Sequence, residues 1–572
     1  MFLKIFWSLL FVVSLVCQSN AEEDIAIQRY QRALNLISTR YYRTLTINEL
    51  VDASIKGMIS ELLDPHTIYY PNAAAYENFR SKTEGNYTGI GIDLAFYENQ
   101  YYIYQVFSSS PAAAAGLMMG DQIISVDSIP VKGKNLKEIN SLLRGDSNIP
   151  VNLTIARAIY TDTLQIVQKQ MNINRKLIQL PAAPHSRIWV DARGKRNMYI
   201  ELKEFSLTSV SEISRLLRSH ESDLAPTSLI LDVRDNGGGY LNSSIDIASF
   251  FIEEETLMLT TRNLYPHAYQ EWWSSGSYQF DGKLVLLLDD QSASATEILA
   301  GILQDFDRAV LIGQKTFGKG SVQNIQILPG PGSSRLKYTT SHYFLPTGRS
   351  IHRIKPQIHK TDNGPLPPTN YTADQSSQIS IINFEDTNAV SYLKKRFYTR
   401  SGRVVFGGDG ITPDMIIPKP RMAHFMEYLI DNGWLFRFAA QYRAVWEKQH
   451  KKAIDAADWV AFKKFLKENK FSYRHPTDSL FRKIDSLISF ERVAPFDSAS
   501  YAALKRSVKS DYSFYMQANR DFIMGALEGE FNHFTKTDDE WYYYKLNQDS
   551  IFLKAMEVVN APNEIFSKYL AP

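Results

Sequence analysis

Apolar residues recur at helical spacing near the start of the chain, at strand spacing in its middle, and at helical spacing again towards the far end. Ile27, Tyr30, Leu34, Ile37 and Tyr41 fall three or four positions apart, and Leu50, Ile55, Met58, Ile59 and Leu62 repeat the pattern. Residues 22–82 therefore read as a helical region whose stripes serve packing. Asp64-Pro65-His66 stops the second helix, because proline cannot continue it. From residue 83 the period shortens. Gly89-Ile90-Gly91-Ile92-Asp93-Leu94 opens a strand, Tyr101 to Val106 gives another, Met119 to Asp127 is turn then strand, and Pro150 to Ala156 is a further strand. Ser110 to Leu117 turns into a short helix, and Leu136 to Leu143 is a second one. Short strands with two helices across 83–170 predict a small, partly open β-barrel.

Residues 171–420 alternate strand and helix. Met198–Leu202, Ser228–Arg234, Lys283–Leu288 and Val310–Ile312 are strand runs, separated by helices at Ser209–Leu217, through Ile245, Ala248 and Phe251, and at Ala295–Phe306. Such alternation predicts an α/β core whose strand-end loops hold the site. Residues 359–388, with Pro365, Pro367 and Pro368, read as a polar excursion. Phe425, Leu429, Trp434, Phe438 and Trp446 mark 421–572 as a helix-rich extension that serves packing or docking. The predicted fold class is multidomain α+β.

The first 21 residues stand apart. Lys4 precedes an apolar run from Ile5 to Val16, and Ser19-Asn20-Ala21 supplies small residues before Glu22-Glu23-Asp24. This reads as a secretory signal cleaved after Ala21, which places the mature chain in the periplasm or cell envelope; an uncleaved anchor is the weaker reading, the run being short for a membrane span. Cys17 is the single cysteine, so the mature chain has no disulfide framework and no thiol nucleophile. The formal net charge is +2, which gives no electrostatic case for nucleic acid as partner.

Two loops carry candidate chemistry. Gly237-Gly238-Gly239 follows a buried strand, where glycines let backbone amides point outward; read alone, the loop is equally a tight turn. Gln291-Ser292-Ala293-Ser294-Ala295-Thr296-Glu297 runs onto a helix start, where amides and the helix dipole favour a developing negative charge. A lone serine there is usually an N-cap. Lys319, 25 residues after Ser294 in a glycine-flanked turn, changes that balance, since one helix and one strand between them can return the lysine beside the serine. Lysine acts as a general base only when neutral, which needs its pKa lowered by roughly 3 units, or ~4 kcal/mol. Phe317 and Val322 can desolvate it, and Gln323 can orient the amine without adding charge. Gly313 to Lys319 nearly spells a phosphate loop, but Gly320 stands where Ser or Thr must hold Mg²⁺. No His-Glu-x-x-His zinc motif and no Gly-x-Ser-x-Gly elbow occurs. His66, His342 and His352 offer only a weak case for a Ser–His triad.

Gly-Ile-Gly-Ile, Ser-Pro-Ala with Ala-Gly-Leu, and Gly-Asp-Gln-Ile-Ile-Ser-Val-Asp resemble a PDZ domain over 83–170. Together with Leu63-Asp64-Pro65-His66, Leu231 to Gly239, the Ser294 helix, the Lys319 turn, Pro346 to Ile351 and Gly407 to Asp414, they resemble the carboxyl-terminal processing peptidases, or tail-specific proteases, with a pattern most like versions from the Bacteroidetes. The resemblance implies a crotonase-like protease core over 171–420, with Ser294 as nucleophile, Lys319 as base and Gln323 as its orienting residue. It implies an oxyanion hole from Ala295 and Gly238 (or Gly239), and supporting places for Glu297, Asp305 and Thr316. It further implies that Gly89, Ile90, Gly91 and Ile92 bind the free carboxyl-terminal tails of protein or peptide substrates, with no metal or cofactor. An envelope-protein adaptor or an oligomer partner stays open, and a non-catalytic PDZ scaffold is the competing reading. The large tail from 421 departs from many family members.

Overall fold

The computed structural model describes residues 24–191, 193–218, 226–263, 269–276, 280–330, 332–353, 395–491, 497–508 and 512–572. The expected signal segment and cleavage after Ala21, and the expected polar excursion at 359–388, fall on residues outside the described ones.

Residues 24–40 and Ile47–Glu61 are helices, the second opened by a reciprocal cap in which the Thr46 N–H donates to Glu49 Oε2 at 2.8 Å and the Glu49 N–H to Thr46 Oγ1 at 3.2 Å. Their apolar stripes were expected to pack, yet Ile27, Tyr30, Ile37, Tyr41, Met58 and Leu62 are exposed in the single chain. Periodicity reports an amphipathic helix without reporting what covers it. The region does not end as a separate unit: Ile68–Tyr70 forms an antiparallel edge on the strand Arg335–Phe344, far away in sequence.

The barrel follows the pattern. Strands Ile92–Tyr97, Gln100–Val106, Gln122–Val126, Pro150–Tyr160 and Leu164–Asn174 form its sheet in that order, around buried Ile90, Ile103, Val126, Ile139, Leu153 and Ile155. The last two strands make a long hairpin, paired from Pro150↔Asn174 to Tyr160↔Leu164.

The α/β core is a sheet in the order Ser186–Val190, Arg196–Glu201, Ser228–Asp232, Lys283–Leu288, Val310–Gly313 and Met415–Ile416; after the antiparallel first strand all neighbours are parallel. Successive residues alternate between its faces. Leu229, Leu231, Leu284, Leu286 and Leu311 pack beneath the helices Ser209–Arg218, Leu241–Ala248 and Ala295–Asp305. Ile230, Val285, Leu287, Val310 and Ile312 face the other way, against Ile551, Phe552, Ala555 and Val558 of the helix Ser550–Asn560. A parallel sheet needs both faces covered, and the extension supplies the second cover.

The rest of the extension has its own core of Trp434, Phe438, Trp446, Phe462, Phe465 and Phe531, with Trp446 and Phe531 stacked at 4.2 Å. Tyr102 of the barrel is buried in that same core. At the contact, Gly433 has φ +65°, and a Cβ there would lie 2.2 Å from the Tyr97 ring, so only glycine lets the two units meet.

Candidate active site

The strands Ser228–Asp232 and Lys283–Leu288 are parallel neighbours, so their carboxyl ends deliver two loops side by side. In the first, buried Asn236 donates from Nδ2 to the Leu202 carbonyl at 2.8 Å and accepts at Oδ1 from the Gly238 N–H at 2.9 Å. Its carbonyl accepts from the Ala293 N–H at 3.0 Å and from Thr296 Oγ1 at 2.9 Å, which stitches the glycine loop to the serine loop. Gly238 has φ +102°, and a Cβ there would lie 2.8 Å from Ser294 Cβ and 2.9 Å from the Ala295 nitrogen. The Gly238 amide, one of the two expected oxyanion donors, gives its N–H to Asn236 Oδ1 in the free chain. Among the described residues, the Ala295 and Gly239 N–H groups have no acceptor.

The two serines separate cleanly. Ser292 is buried, donates from Oγ to the Val233 carbonyl at 2.8 Å, and gives its N–H to Asp289 Oδ1 at 3.0 Å. Ser294 is half-buried at the helix start with φ 59° and ψ −116°, a strained backbone for a residue with a side chain.

Glu297, fully buried one turn into that helix, ties Ser294 to the Lys319 turn. Its Oε2 accepts from the Ser294 N–H at 2.9 Å and the Lys319 N–H at 2.8 Å, and its Oε1 from the Gly318 N–H at 2.7 Å and Thr316 Oγ1 at 2.5 Å. Burial raises its pKa, against the pull of these four bonds. The Tyr343 hydroxyl adds a second tie, at 2.5 Å from the Lys319 carbonyl and 3.2 Å from that of Ser294. Asp305 stands farther back, paired with buried Arg349 at 2.7 Å, where it holds the Thr347–Arg349 turn.

The Lys319 amino group is enclosed, and its pKa falls to about 8, through burial first and the nearby Lys337 charge second, opposed by Glu297 and Asp64. Val322, expected to desolvate the lysine, packs against the main core, and the charges that tune the lysine come from segments distant in sequence, which no local reading of residues 317–322 finds. Gln323 Nε2 donates to Ser321 Oγ at 2.9 Å and Thr339 Oγ1 at 3.3 Å, so only its carboxamide oxygen remains for the lysine. His342 and His352 meet edge-to-face at 4.8 Å, and His352 Nδ1 accepts from the Gly320 N–H at 3.2 Å. Burial lowers the pKa of His66 to about 4 and of His352 to about 3. No hydrogen bond joins these histidines to Ser294 among the described residues, so a Ser–His triad finds no support.

In the barrel, Gly89, Ile90, Gly91 and Ile92 line a groove of about 470 Å³ between the edge strand Ile92–Tyr97 and the helix Leu136–Leu143. Gly91 has φ +83°, and a Cβ there would lie 2.2 Å from Ser110 Cβ. Arg144, which the sequence reading missed, also lines this groove, with its guanidinium 4.9 Å from the Tyr87 ring centroid. Its position directly after the Leu136–Leu143 helix was the available signal.

A strained serine at a helix start, joined through Glu297 to the Lys319 turn, and a groove on a PDZ-like barrel mark a serine-type peptidase with an attached PDZ domain. Family models agree along the chain: Peptidase family S41 over 196–360, a PDZ domain over 102–157, the N-terminal domain of the activating protease CtpB over 14–73, and the C-terminal helical domain of probable PDZ-proteases over 425–559. A carboxy-terminal-processing protease of Bartonella bacilliformis is 30% identical over 340 residues, covering 59% of this chain and 74% of its own. The carboxy-terminal processing protease CtpB of Bacillus subtilis is 29% identical over 350 residues, covering 60% and 70%. Among solved structures, the photosystem II D1 C-terminal processing protease aligns with TM-score 0.35 at 22% identity, covering 56% of this chain and 83% of its own. The chain belongs to the carboxy-terminal processing protease family of S41 peptidases.

Proposed function

We propose that the protein is an endopeptidase with a Ser294–Lys319 catalytic pair that acts on exported proteins after reading their carboxyl-terminal tails. The observation that carries this reading is Lys319, whose pKa of about 8 leaves a usable neutral fraction at physiological pH. Neutral Lys319 takes the Ser294 hydroxyl proton as Oγ bonds to the peptide carbonyl carbon. The resulting oxyanion is held by the Ala295 amide and, since Gly238 is engaged, by that of Gly239. Collapse breaks the C–N bond while the Lys319 ammonium returns the proton to the leaving amine. Water, deprotonated by Lys319, then attacks the ester carbonyl. As the C–Oγ bond breaks, the Lys319 ammonium returns that proton to Oγ, which restores the Ser294 hydroxyl and the neutral amine.

The tail adds as a strand beside Ile92–Tyr97, with its carboxylate at the Gly89–Gly91 loop near Arg144. Action in the cell envelope is supported by the apolar run Ile5–Val16 before Ala21. A fluorophosphonate probe should label the purified protein at Ser294 and leave Ser294→Ala unlabelled. A tail-binding scaffold would bind free-carboxylate peptides without taking up the probe, and that result would overturn the catalytic reading.

A further inference from the structure

Asp64-Pro65-His66 reads in sequence as the end of a helix, yet the loop lies against the strand Arg335–Phe344, on the side that faces Gln323. Asp64 Oδ2 accepts from Thr339 Oγ1 at 2.7 Å and from Thr67 Oγ1 at 2.6 Å, and Oδ1 accepts from the His66 N–H at 2.9 Å. Thr67 Oγ1 in turn accepts from the Thr339 N–H at 3.2 Å, so the loop and the strand are locked in register.

The direction of these bonds has a consequence one residue further on. An ionised carboxylate only accepts, so the single Thr339 hydroxyl proton points at Asp64 and leaves only lone pairs for Gln323. The carboxamide must therefore present its NH₂ to Thr339, the orientation in which Nε2 lies 3.3 Å away, and its oxygen is left to the other side. We propose that Asp64 is a positioning residue of the catalytic pair: by polarising Thr339 it sets which end of the Gln323 carboxamide serves Lys319. The proposal rests on the Ser294–Lys319 reading above and on Gln323 as the residue that orients the lysine amine.

Asp64 keeps the charge this role requires. Burial would raise its pKa, but the bonds from Thr339, Thr67 and the His66 N–H outweigh that and leave it below the usual carboxylate range. The charged and titratable groups that act on the Lys319 amine are Asp64 and His66 from this loop, Glu297 from the Ala295–Asp305 helix, Lys337 from the Arg335–Phe344 strand, and His352 beyond it. His66 and His352 are neutral at physiological pH, so Asp64 and Glu297 pull the lysine pKa up while Lys337 pushes it down.

The test uses the full chain and a short peptide substrate. Asp64→Asn removes the charge and offers Thr339 an NH₂ as readily as an acceptor; kcat should fall roughly tenfold, the scale of losing a hydrogen bond to a charged group. The acid limb of the kcat/KM profile should move to lower pH, because a negative charge near Lys319 is gone. Thr339→Val should lower kcat by a similar factor with the acid limb unmoved, and Thr339→Ser, which keeps the hydroxyl, should recover most of the rate. Equal rates for Thr339→Val and Thr339→Ser would overturn the relay, and would do so even if Asp64→Asn failed to fold. An unmoved acid limb in a folded Asp64→Asn protein would also overturn it. Lys319→Ala separates the two levels: an active Lys319→Ala protein removes the catalytic pair itself, whereas an inactive one alongside wild-type Thr339→Val removes only Asp64.

Discussion

Ser294 and Lys319 hang their backbone N–H groups on one oxygen, Glu297 Oε2, at 2.9 and 2.8 Å. The distance between nucleophile loop and lysine turn is thus set by a side chain that does no chemistry. Glu297→Ala would leave the Ser294, Gly318 and Lys319 amides without their buried acceptor, at a cost of about 3 kcal/mol or more. The expected result is a lower denaturant midpoint together with a loss of kcat well beyond what the folded fraction explains, measured on the same sample.

The lysine makes opposite demands on stability and activity. Its pKa falls from 10.5 in the unfolded chain to about 8 in the fold. The folded state therefore disfavours the proton: the penalty is full below pH 8, shrinks as pH rises from 8, and vanishes above 10.5. Lys319→Met should stabilise the protein by about 3 kcal/mol at pH 7, with the gain disappearing near pH 10.5, while abolishing hydrolysis. Lys319→Arg should be equally inactive, because guanidinium stays charged. In the wild type, kcat/KM should rise with pH through about 8; a profile flat from pH 6 to 9 would remove lysine as the base.

The two serines should part in the opposite sense. Ser294→Ala should eliminate turnover and leave stability close to wild type, since alanine keeps the Cβ and with it the backbone strain at φ 59°. Ser292→Ala breaks the bond to the Val233 carbonyl and should cost about 1–2 kcal/mol while keeping a sizeable share of activity. Reversal of the activity order would assign the nucleophile to Ser292.

The cover on the second face of the sheet is open to a direct test. Phe552 packs among Tyr199, Ile230 and Val285, and Phe552→Ala should cost about 3 kcal/mol or more. Calorimetry should show the transition of the α/β core itself moving down, because the helix belongs to that core. A shift confined to a separate transition of the extension would argue that the two fold apart.

Tail reading predicts discrimination at the carboxyl group. A substrate ending in a free carboxylate should be cleaved faster than its amidated twin, and Arg144→Gln should shrink the difference by raising KM for the free form. Equal rates for the two substrates would defeat it.

The sequence was most legible where structure is local. Continuous apolar runs such as Lys283–Leu288 and the glycine-bounded barrel strands carry their conformation in their own residues, and both appear where the pattern puts them. That the Ser294 loop and the Lys319 turn come together was legible because they follow neighbouring parallel strands, Lys283–Leu288 and Val310–Gly313. What escaped is what depends on partners remote in the chain. A stripe on helix 550–560 says that it buries something, and not that the something is Ile230 and Val285. The direction of the Gly238 amide depends on the Asn236 rotamer, and the use of Asp64 depends on a strand some 270 residues away. Both follow from tertiary packing, which overrides local reading.

The helix Ser550–Asn560 closes a sheet whose first parallel strand begins at Arg196, more than 350 residues earlier. Contacts that span so much chain must wait for it, and they place this domain among slow folders of high contact order. During synthesis, residues 196–313 can gather their strands and helices but must leave Ile230, Val285 and Ile312 uncovered until residue 550 arrives. The order of synthesis thus imposes a delay: a nascent chain carries both Ser294 and Lys319 long before it carries the surface that completes the sheet beneath them.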